Sequence, residues 1–301
     1  MRLLQREWSF RRSLAALMTL AVMLAGSVYT NPAEAQRRQR NKKPPKPFSI
    51  TQADILDSEN GYPIPLDSDF FPGETVHLRF LVDGYSRGEF DRVWITWRID
   101  SFGPSGDRFV MAETGSVDTE LAPQDKNWRP IIRHSPAIPD HAEEGLYTVT
   151  VRVTDELKPA TVERKVAIRV RGESVAPGRE LTIRRFVLTR TEGGAPYEQA
   201  LFGPGDTIWG EFFITGYRLT ETNSFDVHAT LQFLDNEGKV LFDFRPQDEQ
   251  GAPFYPRRWL PATFRLDLDK ALLPGRYQIA LRINDRLGEQ TYEERKPFWV
   301  Q

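Results

Sequence analysis

Cysteine is absent from this 301-residue chain. Disulfides, thiolate metal sites, cysteine nucleophiles and lipid-modified cysteines are therefore excluded. Histidine is scarce: His77, His134, His141 and His228 are the four present. No serine sits in a Gly-x-Ser-x-Gly elbow, and there is no Gly-x-Gly-x-x-Gly loop, phosphate loop or metalloprotease histidine pair. No stretch beyond residue 47 has a long apolar face of helical period, and the chain holds a single long apolar run.

That run is residues 13–30 (SLAALMTLAVMLAGSVYT). It follows Arg2, Arg6, Arg11 and Arg12 and precedes Ala33-Glu34-Ala35. A basic region, an apolar run and a small-x-small site make residues 1–35 a secretory signal cut before Gln36, with a periplasmic or secreted destination. The run is also just long enough to span a bilayer, so the alternative is an uncleaved anchor. Otherwise membrane contact is expected only in transit.

Residues 36–47 (QRRQRNKKPPKP) hold six basic residues, no acid and three prolines, the composition of a disordered, extended linker. It is either a solvated spacer or an electrostatic tether to an anionic polymer or lipid. The whole chain has 40 basic and 42 acidic residues; past residue 47 the balance is 30 to 40, a formal charge near −10. So acidic a body argues against nucleic-acid binding by the folded domains.

The strongest internal signal is repetition. Phe71-Pro72-Gly73-Glu74-Thr75-Val76 recurs as Gly203-Pro204-Gly205-Asp206-Thr207-Ile208, and Gly84-Tyr85 as Gly216-Tyr217. Gly145-Leu146-Tyr147 recurs as Gly275-Arg276-Tyr277, and Arg152-Val153-Thr154-Asp155 as Arg282-Ile283-Asn284-Asp285. The order is the same and the offset is 132 residues early and 130 late, which identifies a duplicated domain. Alternating apolar positions, such as Val76, Leu78, Phe80 and Val82, predict strands. Gly210 stands where the first copy has Leu78 and predicts a bulge or a close approach. The expected fold is all-β: two tandem antiparallel sandwiches at 48–171 and 179–301, joined by the polar segment 171–179.

The Gly-x-Tyr strand, the aspartate-bearing turn and the closing strand at 145–170 and 275–300 resemble the last two strands of bacterial immunoglobulin-like domains. In such folds the tyrosine bonds back to the preceding backbone. The resemblance implies a non-catalytic module of adhesion, carbohydrate contact or assembly, with no cofactor.

Several residues are candidates for function. His134 and His141 lie near Asp140, Glu143 and Glu144, and a metal would need these to converge; solvated loop histidines are the alternative. With the plentiful carboxylates, they are also the basis of a less favoured reading as a metal- or carboxylate-dependent hydrolase. Asp155 and Asp285 suit either an interdomain calcium or a simple turn. The proline-rich segments before each Gly-x-Tyr strand carry Trp128 in one copy and Phe254, Tyr255, Arg257, Arg258 and Trp259 in the other. On stiff loops these form a sugar-stacking or protein-contact patch, or else fold back and cap a sandwich end. Trp209 and Phe213, off the inward set of their strand, pack between the domains or mark a contact face. The expected partner is an envelope protein or polysaccharide, and the alternative is an assembly subunit with no ligand site.

Overall fold

The structure, a computed structural model, describes residues 46–301 except Lys126, Glu173, Ser174 and residues 197–199. The expected signal, most of the basic stub and part of the expected link at 171–179 lie outside the described residues. Among those described there is no α-helix, and no helix is long and apolar enough to cross a membrane.

Two β-sandwiches follow one another. In the first, one sheet has the order β2 (Pro63–Ile64), β1 (Ser49–Leu56), β4 (His77–Asp83), β7 (Ile131–His134). The facing sheet runs β3 (Asp69–Phe70), β9 (Ala160–Val170), β8 (Gly145–Asp155), β5 (Arg92–Phe102), β6 (Arg108–Glu120). In the second, β10 (Thr182–Thr189), β12 (Thr207–Thr215) and β16 (Trp259–Asp267) face β11 (Leu201–Phe202), β18 (Gln290–Val300), β17 (Gly275–Asp285), β13 (Phe225–Leu234) and β14 (Val240–Asp243). There β15 (Gln247–Gly251) continues along β13 beyond β14. All pairings are antiparallel except β3 with β9 and β11 with β18, where a short N-terminal strand adds in parallel to the last strand of its sandwich.

Alternation explains the two cores. Val76, Leu78, Phe80 and Val82 face Val93, Ile95, Ile99, Val149 and Val151 in the first; Ile208, Phe212 and Ile214 face Val227, Phe233, Ile279 and Leu281 in the second. Each such side chain removed from water contributes about 1.5–3 kcal/mol. Gly210 marks a close approach: it is itself in register with Leu188 and Phe264, and the bulge beside it lies in β10, between Arg184 and Val187. A Cβ there would lie 2.0 Å from the Phe264 ring, which fills the space that Leu78 fills in the first copy.

The repeated motifs make the same bonds in both copies. Gly73 and Gly205 take φ +84° and +87°, and the acid beside each caps the turn: Phe71 N–H donates to Glu74, and Gly203 N–H to Asp206. Gly84 and Gly216 let the chain pass within contact of the Pro47 and Glu180 carbonyls, where a Cβ would stand only 2.1 and 1.9 Å away. The tyrosines after them donate to loop carbonyls, Tyr85 to Trp128 and Tyr217 to Arg257. Tyr147 and Tyr277 form the corner that the resemblance implies, donating to the Glu143 and Leu273 carbonyls at 3.1 and 2.8 Å. Buried Asp155 accepts backbone N–H bonds from Ser86, Leu157 and Lys158, and Asp285 accepts them from Arg218, Leu287 and Gly288.

Candidate functional site

The segment between β15 and β16 carries four of the six nominated residues and Trp259 opens β16; of these five, Tyr255 and Trp259 are buried. Tyr255 is 3% exposed and packs into the core of the first sandwich, although it belongs to the second. Its ring lies 6.2 Å from Tyr147 and 5.9 Å from His141. Its carbonyl takes a 2.9 Å bond from His141 Nε2, and its hydroxyl lies 3.3 Å from the Tyr147 hydroxyl. Tyr147 spends its one proton on the Glu143 carbonyl, so Tyr255 is the donor between the two hydroxyls. Desolvation pushes both phenols above their usual pKa. Gly103 makes the room: a Cβ there would stand 2.5 Å from the Tyr255 hydroxyl.

Arg258 reinforces this joint. Its Nη2 donates to Asp107, and its Nε lies 2.8 Å from Glu143 Oε1 as an ion pair. Arg257 turns back onto its own sandwich and holds Glu249 at 3.0 Å. Trp259 is buried and meets the edge of Phe213 at 5.4 Å. Phe254 is 49% exposed, and its carbonyl accepts from Asn223. In the first sandwich Trp128 is half-buried, edge-on to Tyr85 at 6.1 Å. Phe213 and Trp209 are half-buried within the second sandwich, beneath Arg185 and Arg265 respectively. The structure therefore gathers Tyr255 and Arg258 at the joint and scatters the other nominated residues.

His134 and His141 do not converge. His141 belongs to the joint, and His134 is buried at the end of β7. Among the described residues no group of three or more His, Asp or Glu side chains forms a metal cluster. His134 Nδ1 lies 2.7 Å from Glu113 Oε2, and its Nε2 lies 3.1 Å from Ser101 Oγ. A carboxylate only accepts, so Nδ1 carries the proton directed at Glu113, and Nε2 faces the serine hydroxyl. This is the connectivity of a nucleophilic serine, yet Ser101 is 1% exposed, paired with core residue Val149 of β8. A reacting carbon must come within about 3–3.5 Å of a nucleophile, and this burial bars it. The three residues instead tie β7 of one sheet to β5 and β6 of the other.

Strand register shows what replaces this tie in the second copy. His134 pairs with Leu78, and Phe264 with Gly210; Ser101 pairs with Val149, and Phe233 with Ile279. Glu113 pairs with Ile99, and Phe244 bonds its N–H to Leu231. Serine, histidine and glutamate thus become Phe233, Phe264 and Phe244. The seam of the second sandwich is an apolar groove of about 570 Å3, walled by Phe212, Leu231, Phe244, Leu260 and Phe264 and bordered by Arg245 and Arg257. The sequence pairs His134 with its neighbour His141, whereas its true partners lie 21 and 33 residues away. The only available signal was the substitution of phenylalanine at the equivalent positions.

No protein-family model matches the chain, and no curated protein matches it. Among solved structures, it is similar to the C-terminal domain of the antigen I/II polypeptide BspA of Streptococcus agalactiae. The identity is 9% and the TM-score 0.31, over 85% of this chain and 100% of that one. The C-terminal domain of the antigen I/II-family protein AspA of Streptococcus pyogenes gives 9% and 0.33 over the same shares. A family 123 glycoside hydrolase from Clostridium perfringens gives 11% and 0.27 over 34% of this chain and 22% of that one. Likeness this distant carries neither activity nor partner to this chain.

Proposed function

We propose that the chain is an exported, non-catalytic tandem of immunoglobulin-like domains, at 48–171 and 179–301, that binds or spaces an envelope protein or polysaccharide in the periplasm or outside the cell. The joint carries this reading. Tyr255 of one sandwich is docked on the corner tyrosine of the other and flanked by Arg258 between two carboxylates. Tyr255 and Arg258, two of the residues that look like a binding patch in sequence, are spent on the contact of one domain with the next, which is what a spacer or presenting module requires. The exposed remainder, Phe254 with the rim of Trp128, is the part of the nominated surface open to a partner.

A pull-down from envelope extracts tests it. The binding form of the proposal expects Phe254→Ala with Trp128→Ala to lose a partner that the unaltered protein retains. If every partner is kept, the spacing form stands alone. A glycan array without a hit removes the polysaccharide. Turnover by the purified protein that survives Ser101→Ala and His134→Ala would place catalysis elsewhere and end the non-catalytic reading.

A further inference from the structure

The second sandwich keeps a groove at the seam that the first sandwich fills. Strand register identifies a side chain that makes the difference. Trp97 on β5 pairs with Val153 on β8, and Ala229 on β13 pairs with Ile283 on β17. Val153 and Ile283 are one position of the repeat, so Ala229 stands where the first copy has Trp97. The indole packs against the core of the first sandwich and lies over Gly115 of β6, where a Cβ would stand 2.3 Å from the ring. In the second copy Gln247 of β15 takes the place of Gly115, and the side chain it pairs with is a single methyl group.

Without the indole and without the tie of Ser101, His134 and Glu113, the second seam is left with its groove of about 570 Å3. Small-molecule sites commonly hold about 300–1,000 Å3, with apolar walls and a few polar groups. Here the two are separated by depth. The inner wall includes Phe212, Ile214, Leu231, Leu260 and Leu281, all buried and none with a side-chain hydrogen-bonding group. The charged lining residues are Arg245, Asp248, Glu249, Arg257 and Arg265. Asp248 is held by His228 and Arg286, Glu249 by Arg257, and Arg265 by Asp267. Exposed Arg245 has no ion pair among the described residues, and Arg257 Nε is buried with no hydrogen-bond partner among them. A buried donor left unmade is costly, and an incoming anion satisfies it.

A hydrocarbon interior beneath an unspent positive charge is complementary to an amphiphile with an anionic head. The tail leaves water for the apolar wall, and the head gains charge-assisted hydrogen bonds. We propose that the groove of the second sandwich binds a fatty acid, its alkyl chain between the two sheets and its carboxylate on Arg245 and the free Nε–H of Arg257. This site is separate from the exposed surface of Phe254 and Trp128, and its ligand is a single-chain lipid and not a protein or polysaccharide. The first copy, with Trp97 in place, has no counterpart of it.

Isothermal titration of the purified full-length protein with decanoate tests this. The expected result is saturable binding at one site per chain. 1-Decanol, with the same tail and no charge, should bind at least tenfold more weakly. Arg245→Gln should weaken decanoate about fivefold and leave 1-decanol unchanged. Ala229→Trp with Gln247→Gly rebuilds the packing of the first copy and should abolish binding of both, with a thermal melt to show that the variant is folded. Arg245 is exposed, so its substitution keeps the test open if the filled variant unfolds. The absence of saturable decanoate binding overturns the proposal. So does decanoate binding that survives in the folded, filled variant, or that is indifferent to Arg245→Gln.

Discussion

Asp155 and Asp285 each satisfy three backbone N–H groups from two loops, so removing either carboxylate orphans all three at once. An unsatisfied buried donor costs about 1–3 kcal/mol, part of which water recovers. Asp155→Ala and Asp285→Ala should each cost about 3 kcal/mol in chemical denaturation. Excess calcium or chelator should leave the melting temperature of the unaltered protein unchanged; a calcium site would show the opposite. Gly103 is the other demanding position: Gly103→Ala should expel Tyr255 from its pocket, seen as increased quenching of tyrosine fluorescence by acrylamide. The phenols set an alkaline limit. Tyr147, Tyr217 and Tyr255 are all raised, chiefly by desolvation, so the native state holds protons that the unfolded chain releases above about pH 10. Their stabilising contribution is complete below that pH and is lost as the pH rises further. Melting temperatures should fall from there, less steeply in Tyr255→Phe.

Strands were legible wherever a pattern was local. The alternation around Val76–Val82, the Pro-Gly turns and the corner tyrosines need only neighbours in sequence, and duplication made each of them visible twice. The seam was not legible, because it depends on which residues of two separate sheets meet. Nothing near His134 in the chain points to Ser101 or Glu113. A tie between sheets should still behave as a bond and not as a catalyst. His134→Ala removes a buried ring with two hydrogen bonds and should cost about 2–4 kcal/mol. Glu113→Gln, at a half-exposed site that keeps an acceptor, should cost under about 1 kcal/mol. A fluorophosphonate probe should leave Ser101 unlabelled in the native protein; native-state labelling would mean that the serine can be reached.

At the scale of the whole molecule, duplication supplies two equivalent scaffolds, and the differences between them carry the individuality. One seam is closed by Ser101, His134 and Glu113, and the other is lined by phenylalanine. The loop before β16 reaches into the neighbouring sandwich. The sequence marked that loop as unusual, with Tyr255, Arg258 and Trp259 beside prolines, and offered both an exposed patch and a cap. Which of these it forms depends on the space that Gly103 leaves and on Asp107 and Glu143, none of which is near it in the chain. The absence of cysteine makes the central claim, that Tyr255 and Arg258 hold the two sandwiches as one body, directly measurable. Spin labels at Lys165→Cys and Arg295→Cys, on the exposed faces of β9 and β18, report the distance between the sandwiches by pulsed electron resonance. A single narrow distance distribution is expected, which broadens when Tyr255→Ala and Arg258→Ala are introduced together. A broad distribution in the otherwise unaltered protein, or one indifferent to those two substitutions, would contradict it.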